Sequence, residues 1–234
     1  MKNLIVVLGI LFFISGCRSI PFSGNVVIDW VDFIKWEDEE YNGIYTAILA
    51  DESFIGEKIG VVQFMVADNV TNSNYKIKNG DAAFHEKGTE LFRVKGMDDM
   101  IAVKSPLATN GYQVYYSTEE TGNSWNFQDM PKDKVNRIEI YEAYTSEGKK
   151  LISDVSSFEK VKGFLQLLES SEVNSNFQPN TVKGDPIIFE MVFYTDEPIA
   201  YKYDMQYDGE TYYWHAWDTS ILSDEIKRYI IQPN

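Results

Sequence analysis

Residues 199 to 207 alternate with a period of two: Ala200, Lys202, Asp204 and Gln206 fall on one side, Tyr201, Tyr203, Met205 and Tyr207 on the other. An extended strand is what puts successive side chains on opposite faces. Asp208-Gly209 follows, and Glu210 to Trp217 resumes the pattern. An Asp-Gly pair supplies the positive φ angles of a tight hairpin, so this stretch commits the chain to antiparallel pairing. Further upstream, Pro186 to Tyr194 is apolar and rich in β-formers, and Asp196-Glu197-Pro198 turns it. Val135 to Tyr144 alternates until Glu147-Gly148 turns it into Lys150 to Val155. A helix is predicted between these strands. Val161, Phe164, Leu165 and Leu168 recur at helical spacing. Ser156-Ser157-Phe158-Glu159 ahead of them fits a capping box, with Ser156 as the cap and Glu159 reaching back. Ser223 is placed to cap a last amphipathic helix with Ile226, Tyr229 and Ile230 inward.

The first half reads as β throughout. Val26 to Trp36 and Tyr41 to Leu49 flank Glu37-Asp38-Glu39-Glu40, predicting a hairpin or meander whose acidic turn faces water. Ile59 to Val66 is another apolar run, and Tyr75 to Gly96 holds short strands joined by glycine turns. Residues 118–134 are polar and form the expected linker, with Trp125 and Phe127 pinning it to one of the two bodies. The fold class expected is therefore α+β: a β-rich N-terminal half (26–117) and a C-terminal half (135–234) of antiparallel strands with a capped helix packed on the sheet.

Composition excludes several function classes. The chain is 44% hydrophobic and 15% aromatic, enough to build a core, so it is not a disordered polymer. Its formal charge is −15, and nucleic-acid binding would need clustered Lys and Arg. One cysteine, Cys17, allows no internal disulfide, so stability must come from packing.

The first seventeen residues form a separate module. Lys2 supplies a positive start, Leu4 to Ile14 is apolar apart from Gly9, and Ile14-Ser15-Gly16-Cys17 ends the segment with small residues. The apolar run is too short to span a bilayer, which takes about 20 residues. It has the shape of an export signal, residues 1–16. Ile14-Ser15-Gly16-Cys17 resembles the lipobox of bacterial lipoproteins. That resemblance implies a diacylglyceryl group on the Cys17 thiol and cleavage before Cys17. It also implies a palmitate-type acyl anchor on the cell membrane and an extracytoplasmic body joined by a short tether, residues 17–25. Two acyl chains hold a protein stably where one does not. Lys2 is the leader's only charged side chain, so the mature chain is more acidic still and is repelled by anionic headgroups. Gly80, Ala82, Gly88, Thr89 and Gly96 recur at spacings similar to those of uncharacterised surface lipoproteins of low-GC, spore-forming Gram-positive bacteria. The resemblance implies compartment and class and carries no activity. The glycines suit positive-φ turns; their spacing fits no phosphate-binding loop.

Catalytic signatures are weak. Ser157-Phe158-Glu159-Lys160 matches S-x-x-K, but the S-D-N and K-T-G elements that accompany it in penicillin-interacting enzymes do not occur. His85 and His215 are the only histidines and stand apart, so no metal site and no cofactor is expected. Carboxylate pairs abound among 36 acids, and only their separation in space would identify a glycoside hydrolase. The distinctive surface candidate is aromatic: Tyr203, Tyr213, Trp214 and Trp217 form either an exposed binding patch or, more economically, part of the core under the helix. The leading expectation is a non-catalytic binding role at the cell envelope, toward a protein or a cell-wall component. The alternative is an envelope hydrolase using Asp/Glu chemistry. A transporter's solute-binding protein would need repeated βαβ units, which are not evident. Cys17→Ser is expected to abolish incorporation of labelled palmitate and to release the protein from the membrane fraction. Equal membrane retention of the variant would remove the lipid anchor from consideration.

Overall fold

The computed structural model of the chain describes residues 28–118, 125–182 and 184–230. The leader, Cys17, the tether and residues 119–124 of the expected linker lie outside the described residues. Ile28, Asp29 and Val70–Tyr75 belong to a small unit of their own, in which the Asn72 side chain accepts from the Asn74 amide at 3.0 Å. The larger unit contains Trp30–Asn69 and the chain from Lys76 onward.

The strands, in chain order, are β1 (Phe33–Trp36), β2 (Glu39–Gly43), β3 (Ala47–Leu49), β4 (Ile55–Val61), β5 (Phe64–Met65), β6 (Asp81–Ala82), β7 (Glu90–Val94) and β8 (Met97–Lys104). Then come β9 (Tyr112–Ser117), β10 (Arg137–Thr145), β11 (Gly148–Val155), the helix α1 (Phe158–Glu169), β12 (Glu172–Val173), β13 (Ile187–Tyr194), β14 (Ile199–Tyr207), β15 (Tyr212–His215) and β16 (Thr219–Ile221). Among the described residues 43% lie in strands and 12% in helices, so the molecule is mostly β, with two sheets and one α-helix.

The first sheet runs β4-β7-β8-β9-β2-β1-β6-β5 and the second β11-β10-β13-β14-β15-β16-β12. The second is antiparallel throughout. The β1–β2 hairpin turns at Glu37 and Asp38, whose φ of 50° and 65° is the left-handed geometry of such turns. Glu37 and Asp38 are exposed, as expected of the turn, and two of its acids are engaged: Glu37 pairs with Arg93 at 2.8 Å and Glu39 accepts from the Tyr41 hydroxyl at 2.6 Å. Gly80, Gly88 and Gly96 all have positive φ, as turn glycines do.

Alternation along the strands sorts side chains into separate cores. On β8, Met100 and Ala102 enter one cluster with Val114, Ile44 and Leu49, while Ile101 and Val103 enter another with Ile34, Tyr41 and Tyr115. In the second sheet Ile138, Ile140, Phe189, Met191, Phe193, Tyr203 and Met205 face α1, meeting Val161, Phe164, Leu165 and Leu168. The capping box does not form. The helix starts one residue later than expected, with Ser157 at the cap position and no side-chain bond from it. The last helix is a 3₁₀ turn over Asp224–Tyr229, where Ser223 does cap, accepting from the Glu225 amide at 3.3 Å. It docks on α1 at Gly163, where an added Cβ would lie 2.6 Å from the Tyr229 hydroxyl.

The halves are not separated by the linker. After β2 the chain leaves the first sheet, and β3 pairs antiparallel with β14, Leu49 opposite Ile199 and Ala47 opposite Tyr201. Trp125 packs on Tyr201, with ring centroids 5.2 Å apart, and joins the cluster fed by the first sheet. Phe127, two residues on, packs on Trp214 at 4.8 Å in the helix-side core. Instead of pinning the linker to one body, the two rings enter both cores. Phe164 is fully buried and touches Phe193 and Tyr229. Phe164→Ala is expected to destabilise the fold by about 3–5 kcal/mol, the usual cost of so large a core truncation. Denaturant unfolding would show it; a loss under about 1 kcal/mol would mean that this core repacks freely.

Candidate functional site

The face of the second sheet turned away from α1 carries a charged row beside a small apolar cluster of Ile48, Val192 and Ala200, because β10, β13 and β14 alternate in step. Tyr141 opposes Glu190 and Glu190 opposes Asp204, a row across three strands. Lys202 lies one row along, opposite Val192. Above this face runs the loop between β8 and β9. Pro106, Leu107, Ala108 and Thr109 wall a cavity of about 730 Å³ whose floor is Glu190, Lys149, Lys202 and Asp204. A second cavity of about 230 Å³ shares Leu107, Ala108, Thr109, Lys149 and Lys202 with it and extends past Ile44 and Tyr45 to Gln113.

Glu190 is the pivot of the floor. It is buried, at 4% exposure, in a strand of otherwise apolar residues. Lys149 Nζ donates to its Oε2 at 2.6 Å, Lys202 Nζ lies 3.8 Å from the same oxygen, and the Thr109 hydroxyl donates to Oε1. Lys149 also donates to Thr109 at 2.9 Å. A buried carboxylate persists only when paired and hydrogen-bonded, and here the strands and the loop provide both. The loop is held by Asn110, whose side-chain amide donates to the carbonyls of Leu49 and Ala50, both at 2.9 Å, and to the Tyr194 hydroxyl at 3.2 Å.

A second buried carboxylate, Glu139, stands beside the site on β10. It accepts from the hydroxyls of Tyr141 at 2.7 Å and Tyr194 at 2.5 Å and pairs with Arg137, which also forks onto Asp154 through two bonds of 3.0 Å. Burial, then the bond to Glu139, pushes the phenols of Tyr141 and Tyr194 well above the usual range, so both remain donors at neutral pH.

Asp204 differs from Glu190. The residue lines the cavity and is exposed as a whole, and desolvation raises its pKa above the ordinary 3.8. Lys202 and Lys149 oppose the rise and the charge on Glu190 adds to it.

The aromatic candidates fall elsewhere. Tyr203, Tyr213 and Trp214 are 6%, 2% and 1% exposed. Tyr203 donates to the Trp125 carbonyl at 2.8 Å, Tyr213 to Gln206 at 2.7 Å, and Trp214 Nε1 to Ser171 at 3.0 Å. They are core residues and form no exposed patch, because α1, the 3₁₀ turn and Phe127 cover one face and Phe177 covers Tyr213. Only Trp217 stays outside, at 85% exposure, in the bend between β15 and β16. His85 bonds the Tyr115 hydroxyl at 2.6 Å, which also contacts the buried Asp32 carboxylate at 3.1 Å; burial lowers the His85 pKa, partly offset by Asp32. His215 meets Thr219 at 3.2 Å. Among the described residues no group of His, Cys, Asp and Glu is arranged to hold a metal ion, and no helix is long and apolar enough to cross a membrane.

Glu190, Lys149, Lys202, Asp204 and Thr109 were not singled out by sequence reasoning. One signal was present: Glu190 is a lone charge inside an apolar strand run. Comparison of the chain with protein-family models, curated proteins and solved structures finds no match.

The Asp204 environment sets a pH dependence. An acid with a raised pKa in the fold binds its proton more tightly there than in the unfolded chain, so its contribution to stability is lost as pH rises through the folded value. Asp204→Asn removes that loss while keeping the shape. The variant should melt higher than the parent at pH 7, with the gap closing as pH falls toward the ordinary aspartate value of 3.8. A gap that does not change with pH would contradict the assignment.

Proposed function

We propose that the chain is a lipid-anchored protein of the extracytoplasmic membrane face, held through Cys17, and that its α+β body binds an envelope component, a wall polymer or an envelope protein, in the cavity above β10, β13 and β14. The first support is the leader with its lipobox-like end. The observation that carries the binding reading is the state of Glu190. Two-carboxylate hydrolysis needs both groups free to face the scissile bond from opposite sides. Glu190 is instead engaged by Lys149, Lys202 and Thr109, which builds a preformed polar floor. Preformed concave sites with a few fixed polar groups are what ligand binding uses.

A hydrolase using Asp/Glu chemistry is the second reading, favoured by one feature: Asp204, with its pKa raised, directly opposes Glu190 on the neighbouring strand. Two neighbouring carboxyls in different surroundings, one with its pKa raised, are the pattern of an acid paired with a charge-stabilising partner.

The two readings separate in one experiment. The full lipidated chain in detergent is mixed with purified wall sacculi; sedimentation and soluble products are both measured. Co-sedimentation without product release supports binding, as does stoichiometric recovery of one envelope protein in a parallel crosslinking pull-down. Product release that disappears with Asp204→Asn would replace binding with hydrolysis, and neither retention nor product release would end both readings.

A further inference from the structure

The rim of the cavity is as specific as its floor. Tyr144 is 87% exposed, Leu107 83% and Tyr45 65%, and all three line the two adjoining cavities. Large apolar side chains so exposed around one concavity mark an interaction site. Tyr144 carries a second mark. Between Glu142 and Thr145 the β10–β11 ladder shifts register, with one more residue on β10 than on β11. This bulge leaves Tyr144 at φ 59°. Four described residues other than glycine have positive φ, and Glu37, Asp38 and Asp196 are acidic turn residues. A bulky ring in that region is a true outlier, and such strain collects at binding sites, where bulges re-aim a side chain. A glycine would close the same turn without strain. Tyr45, at the far end, has its ring fixed: its hydroxyl donates to Asp32 Oδ2 at 3.2 Å, an oxygen that also accepts from Gln113 at 2.8 Å.

Charge narrows the ligand class. On the floor Lys149 and Lys202 stand against Glu190 and Asp204, so the charges balance, and Glu147 at the mouth adds one acid. The whole chain is at −15. Anionic polymers are repelled, and a simple cation meets two ammonium groups. What remains suited is an uncharged ligand with many hydroxyl or amide groups for the floor and flat apolar faces for the tyrosines. Building on the binding reading above, we propose that the joined cavities bind an uncharged oligosaccharide, with sugar rings stacked on Tyr144 and Tyr45 and hydroxyls bonded to the Lys149–Glu190–Lys202–Asp204 floor.

The test is titration of the full chain in detergent with a tetrasaccharide of N-acetylglucosamine, followed by intrinsic fluorescence and calorimetry. Parallel titrations use a wall stem peptide and an anionic polyol phosphate polymer. Saturable tetrasaccharide binding, weakened at least about tenfold by Tyr144→Ala and kept by Tyr144→Phe, is the expected result. Circular dichroism and melting of both variants guard against misfolding, and an 87% exposed side chain should leave both intact. Binding untouched by Tyr144→Ala, or seen only with the peptide or the anionic polymer, would overturn the assignment. No tetrasaccharide binding while sacculi or an envelope partner are still retained would overturn the sugar assignment alone and leave the binding role standing.

Discussion

Three residues join the two sheets. Ala47–Leu49, which follow β2 of the first sheet, hydrogen-bond to the start of β14 and bury their side chains on both sides of the junction, Ala47 and Leu49 toward the first-sheet cluster and Ile48 against Val192 and Ala200. The Lys202 amide donates to the Thr46 carbonyl at 2.9 Å and the Ala50 amide to the Pro198 carbonyl at 2.8 Å, bracketing the strand at both ends. Because β14 also carries Lys202 and Asp204, the pairing that unites the sheets positions half of the cavity floor. Asn110 completes the arrangement by fastening the covering loop to the carbonyls of Leu49 and Ala50.

The polar face shows how a sheet can hold charge in its interior. Glu139 and Glu190 are nearly sealed from water, at 6% and 4% exposure, and each is satisfied by groups from its own and neighbouring elements. Removing one partner from such a set leaves a charge uncompensated, typically a matter of about 3–5 kcal/mol. The floor is thus rigid for the same reason that it is polar, and rigid polar floors keep their hydrogen-bonding directions before a ligand arrives.

What was legible in the sequence follows from the range of each signal. The alternation in residues 199–207 and the Asp208-Gly209 turn signal act within a few residues; both strands are present, joined by residues 208–211, a longer loop than the expected tight turn, in which Gly209 has the positive φ. The helical face was legible for the same reason, while its cap was misplaced by one residue because Ser156 and Ser157 are chemically alike. The destination of β3 was not legible: a three-residue apolar strand carries no mark of which sheet will accept it. The cavity was hidden for a related reason. Thr109 and Glu190 are 81 positions apart, and no local pattern joins them. Aromatic density at Tyr203, Tyr213 and Trp214 was visible, but which of their faces would be covered depended on α1 and Phe127 arriving from elsewhere.

The shared edge of β14 has one more consequence. β15 occupies that edge at Met205–Tyr207 and β3 at Ile199–Tyr201. A fragment made of the second half alone would keep β15 but lose β3, baring the Pro198 carbonyl, the backbone groups of Ala200 and the Lys202 amide. Open edges of this kind recruit foreign strands. The first half therefore also acts as a cover for an edge that the second half does not close by itself.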